Sequence, residues 1–218
     1  MDKMHVVTLS APRSPAAEAY RALRLNLAFT SLDKPLETVV ISAPAATSTK
    51  SQVAVNLAVV MAQAGQQVIL VDADLRRPSL HHFFDTPQEP GLTGYMLSQE
   101  GENALALVET GVPNLRLLPS GTLPPNPADI LGSQKMDQLL TQLKALADVV
   151  VLDAPPVTVA VDASMLGVRT DGVLLVVQAG HTRRDHIAQA KELLERFHVR
   201  LLGAVFTDAP EGGLLTGY

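Results

Sequence analysis

Short apolar runs recur along the chain and predict the strands of a parallel sheet. Five of them are continuous rather than alternating: TVVIS from Thr38, VILVD from Val68, VVVLD from Val149, GVLLVV from Gly172 and LLGAVF from Leu201. Strands that are buried on both faces of a parallel sheet have this pattern. The run NLRLLPSG from Asn114 is a sixth candidate, which Arg116 interrupts.

Segments with helical periodicity lie between these runs. Residues 51–64 carry an apolar stripe, Gly65 follows as a residue that commonly ends a helix, and residues 183–197 repeat the pattern. The inward positions are Val55, Ala58, Val59 and Ala62 in the first segment, and Ile187, Ala190, Leu193 and Leu194 in the second. Alternating strands and helices predict an α/β fold with a doubly wound, mostly parallel sheet. Residues 120–127 and the C-terminal tail are rich in Pro and Gly and predict loops.

Composition narrows the functional classes. The chain has 218 residues, 47% of them apolar and 18% charged, with no cysteine and a formal net charge of −5. These values exclude a disordered chain, a disulfide scaffold and cysteine-ligated metal sites. The negative charge and the lack of a basic tract argue against nucleic acid as a partner. Because no window approaches the roughly 20 apolar residues that span a bilayer, and no signal peptide is visible, we expect a cytoplasmic protein without membrane insertion.

The junction between the first strand and the next helix has features of a phosphate-binding loop. Lys50 and Ser51 open the helix after the segment SAPAATST. In such loops, backbone N–H groups and the helix N-terminus hold phosphate, the lysine reaches the β/γ-phosphates, and the hydroxyl ligates Mg²⁺. The motif of a phosphate-binding loop has glycine at the two positions where this chain has Pro44 and Thr49. The alternative to a phosphate-binding loop is therefore a polar turn in which Ser48 or Thr49 caps the helix.

Three carboxylates are expected at the same edge of the sheet. Asp72 and Asp74 follow the second strand, with Arg76 just beyond, and Asp153 ends the VVVLD strand. Ligands bind beyond the carboxyl ends of parallel strands, and two acids two residues apart on an extended strand point to the same side. This placement suits a metal ion or a proton acceptor beside a triphosphate. Alternatively, Asp72 and Asp74 cap the next helix and pair with the nearby arginines.

With these motifs in order, the chain resembles the bacterial tyrosine kinases (BY-kinases) of capsular and exopolysaccharide biosynthesis, which are P-loop ATPases related to MinD and ParA. The resemblance covers about residues 14–209. It rests on the segments SPAAEAYRALRLNL, VDADLRRPSLH, GLTGYML, LPPNPADIL, VVLDAPPVTVAVDASML, DGVLLVVQAGHTRR and LLGAVF. The family implies one P-loop domain with an oligomerisation helix in residues 1–36, a nucleotide-binding core in 37–209 and a tail in 210–218.

The resemblance implies roles residue by residue. The implied catalytic residues are Lys50, Asp72 and Asp74. The implied nucleotide-binding residues are Thr47, Ser48, Thr49, Lys50, Ser51 and Gln52. The implied Mg²⁺ ligands are Ser51, Asp74 and Asp153. One of the acids of the VDAD segment would act as base towards a tyrosine hydroxyl. Glu18, Arg21 and Arg24 match the helix motif that joins subunits into a ring, and Tyr218 is the candidate phospho-acceptor. ATP or ADP with Mg²⁺ would be the ligands.

The family also implies an activator: the cytoplasmic part of a transmembrane polysaccharide co-polymerase. That partner would recruit the chain to the inner face of the plasma membrane.

The chain departs from the family pattern in two places. The segment from Ala46 to Gln52 has Thr47 and Thr49 where relatives carry glycines. If the loop needs a positive φ at either position, a β-branched residue costs about 1–3 kcal/mol there. The tail supplies a single tyrosine, Tyr218, instead of a cluster, and Thr207 and Asp208 replace an asparagine often found after the last strand.

Two main hypotheses therefore stay open. The chain is either an active tyrosine autokinase that uses Mg-ATP or a pseudokinase that binds nucleotide weakly and acts as an oligomerising or regulatory partner. A partitioning ATPase of the MinD/ParA type is the weaker third alternative, because Ala45 stands where those proteins carry a signature lysine.

Overall fold

The computed structural model describes residues 6–30, 35–98 and 105–209. Their strands form one sheet in the order β3-β4-β2-β5-β1-β6-β7. The strands are β1 (Thr38–Ser42), β2 (Val68–Asp72), β3 (Val108–Glu109), β4 (Leu115–Leu118), β5 (Val149–Asp153), β6 (Val173–Gln178) and β7 (Leu201–Thr207). All neighbours pair in parallel except β3, which is antiparallel to β4. The six predicted strands are confirmed, and β3 is an addition.

Helices connect the strands and cover the sheet. They are α1 (Val7–Ser10), α2 (Pro15–Phe29), α3 (Lys50–Gln63), α4 (Leu80–Phe84), α5 (Gly91–Leu97), α6 (Pro127–Leu131), α7 (Gln134–Leu146), α8 (Asp162–Gly167) and α9 (Arg184–Arg196). The two predicted helices are therefore α3 and α9. Gly65, with φ +92°, ends α3 as expected, because that backbone conformation suits glycine. The loop predicted for residues 120–127 is wrong at its last residue, because Pro127 begins α6.

Each face of the sheet packs on its own hydrophobic core. Val39 and Ile41 of β1 point into a cluster formed with α3, which we call the α3-side core. Val40, between them, points into a cluster formed with α7, the α7-side core. Successive residues of a strand point to opposite faces, so continuous apolar strands are what a sheet with two cores requires. This confirms the doubly wound α/β sheet.

Two predictions about burial need correction. The LLGAVF strand, β7, is not buried on both faces: it forms the edge of the sheet, where Leu201 and Phe206 are 38% and 58% exposed. α3 is buried almost all round rather than along one stripe, because α1 and α2 cover the side that faces away from the sheet. Within the described ranges, no helix is long and apolar enough to cross a membrane.

Candidate functional site

The loop that follows β1 delivers Lys50 and Ser51 to the start of α3. Thr49 is the residue before the helix, with φ −97°, and its side chain makes no capping bond to the helix. Neither Thr47 nor Thr49 is among the residues with positive φ. The loop therefore accommodates both threonines without the backbone cost expected for a left-handed conformation, and the helix-cap alternative fails for Thr49.

Lys50 is almost fully buried and lies between two carboxylates. Its Nζ is in close contact with Asp153 Oδ1 and is 3.3 Å from Asp74 Oδ2. Burial lowers the pKa of Lys50, but the charges of Asp153 and Asp74 outweigh that effect and raise the pKa above its usual value. Ser51 Oγ donates to Asp153 Oδ2 at 2.5 Å. The lysine, the hydroxyl and the acid of β5 thus form one connected cluster.

Asp72 and Asp153 end neighbouring strands and are register partners with no exposed surface. Burial and, second, the charge of Asp153 raise the pKa of Asp72 to about 8. Burial also raises the pKa of Asp153, against the opposing effects of Lys50 and Ser51. Asp72 Oδ2 accepts from the backbone N–H groups of Ser79 and Leu80 at 3.0 and 2.9 Å, whereas Asp72 Oδ1 has no partner among the described residues. Asp72 therefore caps the start of α4, as one alternative predicted.

The arginines of this segment do not pair with Asp72 or Asp74. Arg76 instead forms a two-pronged ion pair with the fully buried Asp162 at the start of α8, with Nε–Oδ2 at 2.9 Å and Nη2–Oδ1 at 3.1 Å. Asp74 Oδ1 accepts from the backbone N–H of Arg77 at 3.0 Å. Asp162 was missed in the sequence, where a single acid at the start of a short helix gives no signal of a distant partner.

A cleft of about 550 Å³ opens beside this cluster. Its walls include Thr47, Ser48, Lys50, Ser51, Asp74, Arg76, Arg77, Phe83 and Pro156. Asp72 and Asp153 are not among the lining residues, so Asp74 is the acid of the three that faces the cleft. Gln52 lies in the first turn of α3 and is likewise outside the lining.

The oxygen donors suit Mg²⁺ only in part. Ser51 Oγ and the Asp153 carboxylate are adjacent and are hard ligands of the kind Mg²⁺ takes. Within the described part of the chain, no group of three His, Asp or Glu side chains is arranged to hold a metal ion. Mg²⁺ commonly binds through one or two carboxylates together with substrate phosphates, and the donors present fit that mode.

The other predicted residues lie away from the cleft. Glu18, Arg21 and Arg24 are on α2, where Arg21 Nη1 bonds Glu18 Oε2 at 2.8 Å and Arg21 Nη2 bonds the Pro12 carbonyl at 2.7 Å. Tyr218 lies outside the described residues. Two contacts of the loop were not predicted: Thr47 bonds Gln178 at the end of β6, and Thr49 bonds Thr207 at the end of β7. Such contacts depend on strand order, which the sequence does not show.

Comparisons with known proteins identify a family and relatives that this chain is similar to. Residues 37–207 match the family model described as ParA, NUBPL iron-transfer P-loop NTPase. The chain is 38% identical to the tyrosine-protein kinase YwqD of Bacillus subtilis (strain 168) over 201 residues, which cover 92% of this chain and 84% of the relative. It is 31% identical to the tyrosine-protein kinase CpsD of Streptococcus agalactiae serotype Ia over 97% of this chain and 90% of the relative.

Solved structures of tyrosine kinases and related proteins are also similar to this chain. The kinase domain of Escherichia coli tyrosine kinase ETK superposes with a TM-score of 0.89 at 30% identity, over 98% of this chain and 83% of that one. The chimerical protein CapA2B2 superposes with a TM-score of 0.88 at 33% identity, over 94% and 90%.

Proposed function

Because the chain belongs to the bacterial tyrosine-protein kinases, within the ParA-like P-loop NTPases, we propose that it binds Mg-ATP in the cleft and phosphorylates a tyrosine. One observation carries the proposal. Lys50, Ser51, Asp74 and Asp153 come from three separate strand ends and converge in one cluster beside a cleft of about 550 Å³. A structural ion-pair network would need neither the cleft nor the loop that leads into α3.

Different groups of the site would bind the phosphates and the Mg²⁺ of Mg-ATP. Lys50 Nζ is the cation available to the β- and γ-phosphates once it leaves its carboxylate partners, and the N-terminus of the 14-residue α3 adds a positive dipole end. Ser51 and Asp153 would hold Mg²⁺. When bound, the metal ion would neutralise charge that develops on the transferring phosphoryl group.

The two acids of the β2 end have different roles in this proposal. In the transfer, the bond between the γ-phosphorus and the bridging oxygen of ADP breaks, a bond to the tyrosine oxygen forms, and the phenolic proton leaves to a base. Asp74 faces the cleft and is the acid available to the reacting groups. Asp72 acts as a positioning residue, since it holds the start of α4 and has no exposed surface.

A pseudokinase remains the second candidate, and one contact favours it. Thr47 Oγ1 accepts from the backbone N–H of Thr49 at 3.3 Å, so a loop donor that phosphate would use already has an acceptor. A chain with such a loop would bind nucleotide weakly and act through its partners.

The wider role we propose is control of capsular or exopolysaccharide synthesis or export. The α2 residues Glu18, Arg21 and Arg24 would join copies into a ring that presents Tyr218 to a neighbouring site. A transmembrane co-polymerase would activate the chain at the inner face of the membrane. The likeness to a chimerical protein, CapA2B2, supports a second protein that acts together with the chain.

Calorimetric titration of the full chain with ATP and ADP in the presence of Mg²⁺ tests the proposal. We expect binding that is lost in Lys50→Met and kept in Lys191→Met, a matched change at an exposed lysine of α9. We also expect phosphotyrosine on Tyr218 by mass spectrometry in the wild type and in Asp72→Asn, but not in Asp74→Asn. Absence of binding at millimolar nucleotide would refute the kinase, whereas binding without phosphotyrosine would favour the pseudokinase.

A further inference from the structure

The hydroxyl of Thr47 lies inside the phosphate loop and makes three contacts there. Thr47 Oγ1 is 2.7 Å from Gln178 Oε1, 3.1 Å from Thr49 Oγ1 and 3.3 Å from the backbone nitrogen of Thr49. Thr47 also lines the cleft. The residue that stands in place of a glycine therefore belongs to a network that connects the loop with the end of β6.

The direction of these bonds follows from the chemistry of Gln178. Gln178 Nε2 donates to Asp208 Oδ2 at 2.8 Å, which turns Gln178 Oε1, an acceptor only, towards Thr47. A hydroxyl has one proton, so Thr47 donates it to Gln178. The lone pairs of Thr47 Oγ1 are then left to accept from Thr49, whose own hydroxyl is fixed 2.9 Å from Thr207 Oγ1.

This arrangement gives a loop amide an internal acceptor. Loops of this class bind phosphate through their backbone N–H groups, and the orphan amides at a helix N-terminus add to them. The Thr49 N–H, directly before α3, is one such donor, and Thr47 Oγ1 accepts from it. A phosphate oxygen that takes this donor must first displace the hydroxyl, which Gln178 holds in place.

We propose that Thr47 is an affinity-determining residue, whose hydroxyl competes with nucleotide phosphate for the Thr49 amide. The inference rests on the proposed function, because it concerns the regulation of the same site. Removal of the hydroxyl frees the donor and tightens nucleotide binding. The gain is about fivefold in Kd, the ratio that corresponds to one net hydrogen bond.

The test compares Thr47→Val, which keeps the β-branched shape without the hydroxyl, with Thr47→Ser, which keeps the hydroxyl. Calorimetry with ADP and Mg²⁺ should show tighter binding to Thr47→Val than to the wild type or to Thr47→Ser. Thr141→Val, on the exposed side of α7, is the matched control for loss of a threonine hydroxyl. Gln178→Leu removes the acceptor that orients Thr47, so it should tighten binding as well and serves if Thr47→Val does not fold.

Hydrogen exchange gives a readout that needs no nucleotide. The Thr49 amide should exchange faster in Thr47→Val than in the wild type.

The outcomes separate this inference from the proposed function. Equal or weaker binding by Thr47→Val would overturn the inference and leave the kinase proposal intact. Binding by Thr47→Val but not by the wild type would support the inference and refute an active wild-type kinase. Absence of binding by both chains would overturn both.

Discussion

At the scale of single residues, the site is an imbalance of buried charge. Lys50 is 4% exposed and stands beside Asp74 at 5%, while Asp72 and Asp153 have no exposed surface. One cation therefore faces three carboxyl groups, which is why burial and mutual repulsion raise the pKa of Asp72 to about 8. This excess of carboxyl groups over cations favours the binding of a positively charged ligand such as Mg²⁺.

The ion pair between Arg76 and Asp162 fixes the segment after β2, and its removal should be costly. Arg76→Ala leaves the fully buried Asp162 carboxylate without its partner. Because the Arg76 side chain is 40% exposed, water screens part of the loss, and we expect about 1–3 kcal/mol of unfolding free energy. Urea unfolding measures it. Arg77→Ala is the matched control, since Arg77 makes no ion pair among the described residues and should change stability by about 0.5 kcal/mol or less. Equal effects of the two changes would contradict this assignment.

Tyr20 should make stability depend on alkaline pH. Burial and, second, the charge of Asp208 raise the pKa of Tyr20 to about 12, against 10.0 without them. The folded state holds the phenol proton more tightly than the unfolded state, so this contribution is complete below pH 10 and is lost as the pH rises from 10 to 12. Unfolding free energy measured across this interval should fall more steeply in the wild type than in Tyr20→Phe. Ultraviolet titration should show that Asp208→Asn lowers the pKa of Tyr20. Identical pH profiles for wild type and Tyr20→Phe would disprove the coupling.

At the scale of elements, the sequence predicts the strands and helices that are long enough to show a regular pattern of apolar residues. β1, β2 and β5 are strands of five residues with continuous runs of Val, Ile and Leu, and α3 and α9 are long enough for helical periodicity. The two residues of β3 and the five of α4 carry too little pattern to be recognised.

The sequence likewise predicts some contacts of the site and misses others. Lys50 and Asp153 could be placed together because parallel strands end at one edge of the sheet. Thr47 and Gln178 could not, because their contact depends on β6 lying next to β1.

Glu18, Arg21 and Arg24 of α2 can exchange their contacts within one copy of the chain for contacts with another copy. Glu18 and Arg21 pair with each other at 2.8 Å, but their side chains are 73% and 36% exposed, and exposed pairs contribute little. Exchange for a partner on another copy therefore costs little. Light scattering should show an oligomer for the wild type and a lower mass for Arg21→Ala/Arg24→Ala. Lys191→Ala/Arg196→Ala on α9 removes the same charge and should keep the wild-type mass. A wild-type monomer would refute the interface.

At the scale of the whole molecule, one sheet separates two cores and carries the site at its edge. Ile41 of β1 points into the α3-side core and Ile69 of β2 into the α7-side core, and both are fully buried. β5 lies between these two strands, so they are about 9–10 Å apart. The lysine of the loop and the acids of β2 and β5 keep their geometry only if both layers stay packed. Function at the edge therefore requires both cores to be packed at the same time, and because they share one sheet we expect them to unfold together.

The substitutions Ile41→Val and Ile69→Val, one in each core, test whether the two cores unfold together. Each change removes one buried methylene and should cost about 0.5–1.5 kcal/mol. At this separation the double variant should lose the sum within about 0.5 kcal/mol. Urea unfolding can be followed on each face separately, because Tyr20 packs on the α3-side core and Tyr95 lies in the α7-side core. The chain has a third tyrosine, Tyr218, so tyrosine fluorescence reports one layer at a time in Tyr95→Phe/Tyr218→Phe and Tyr20→Phe/Tyr218→Phe backgrounds. Coincident midpoints that shift together in every variant would show one cooperative unit, whereas a midpoint that moves on one face alone would show that the layers unfold independently.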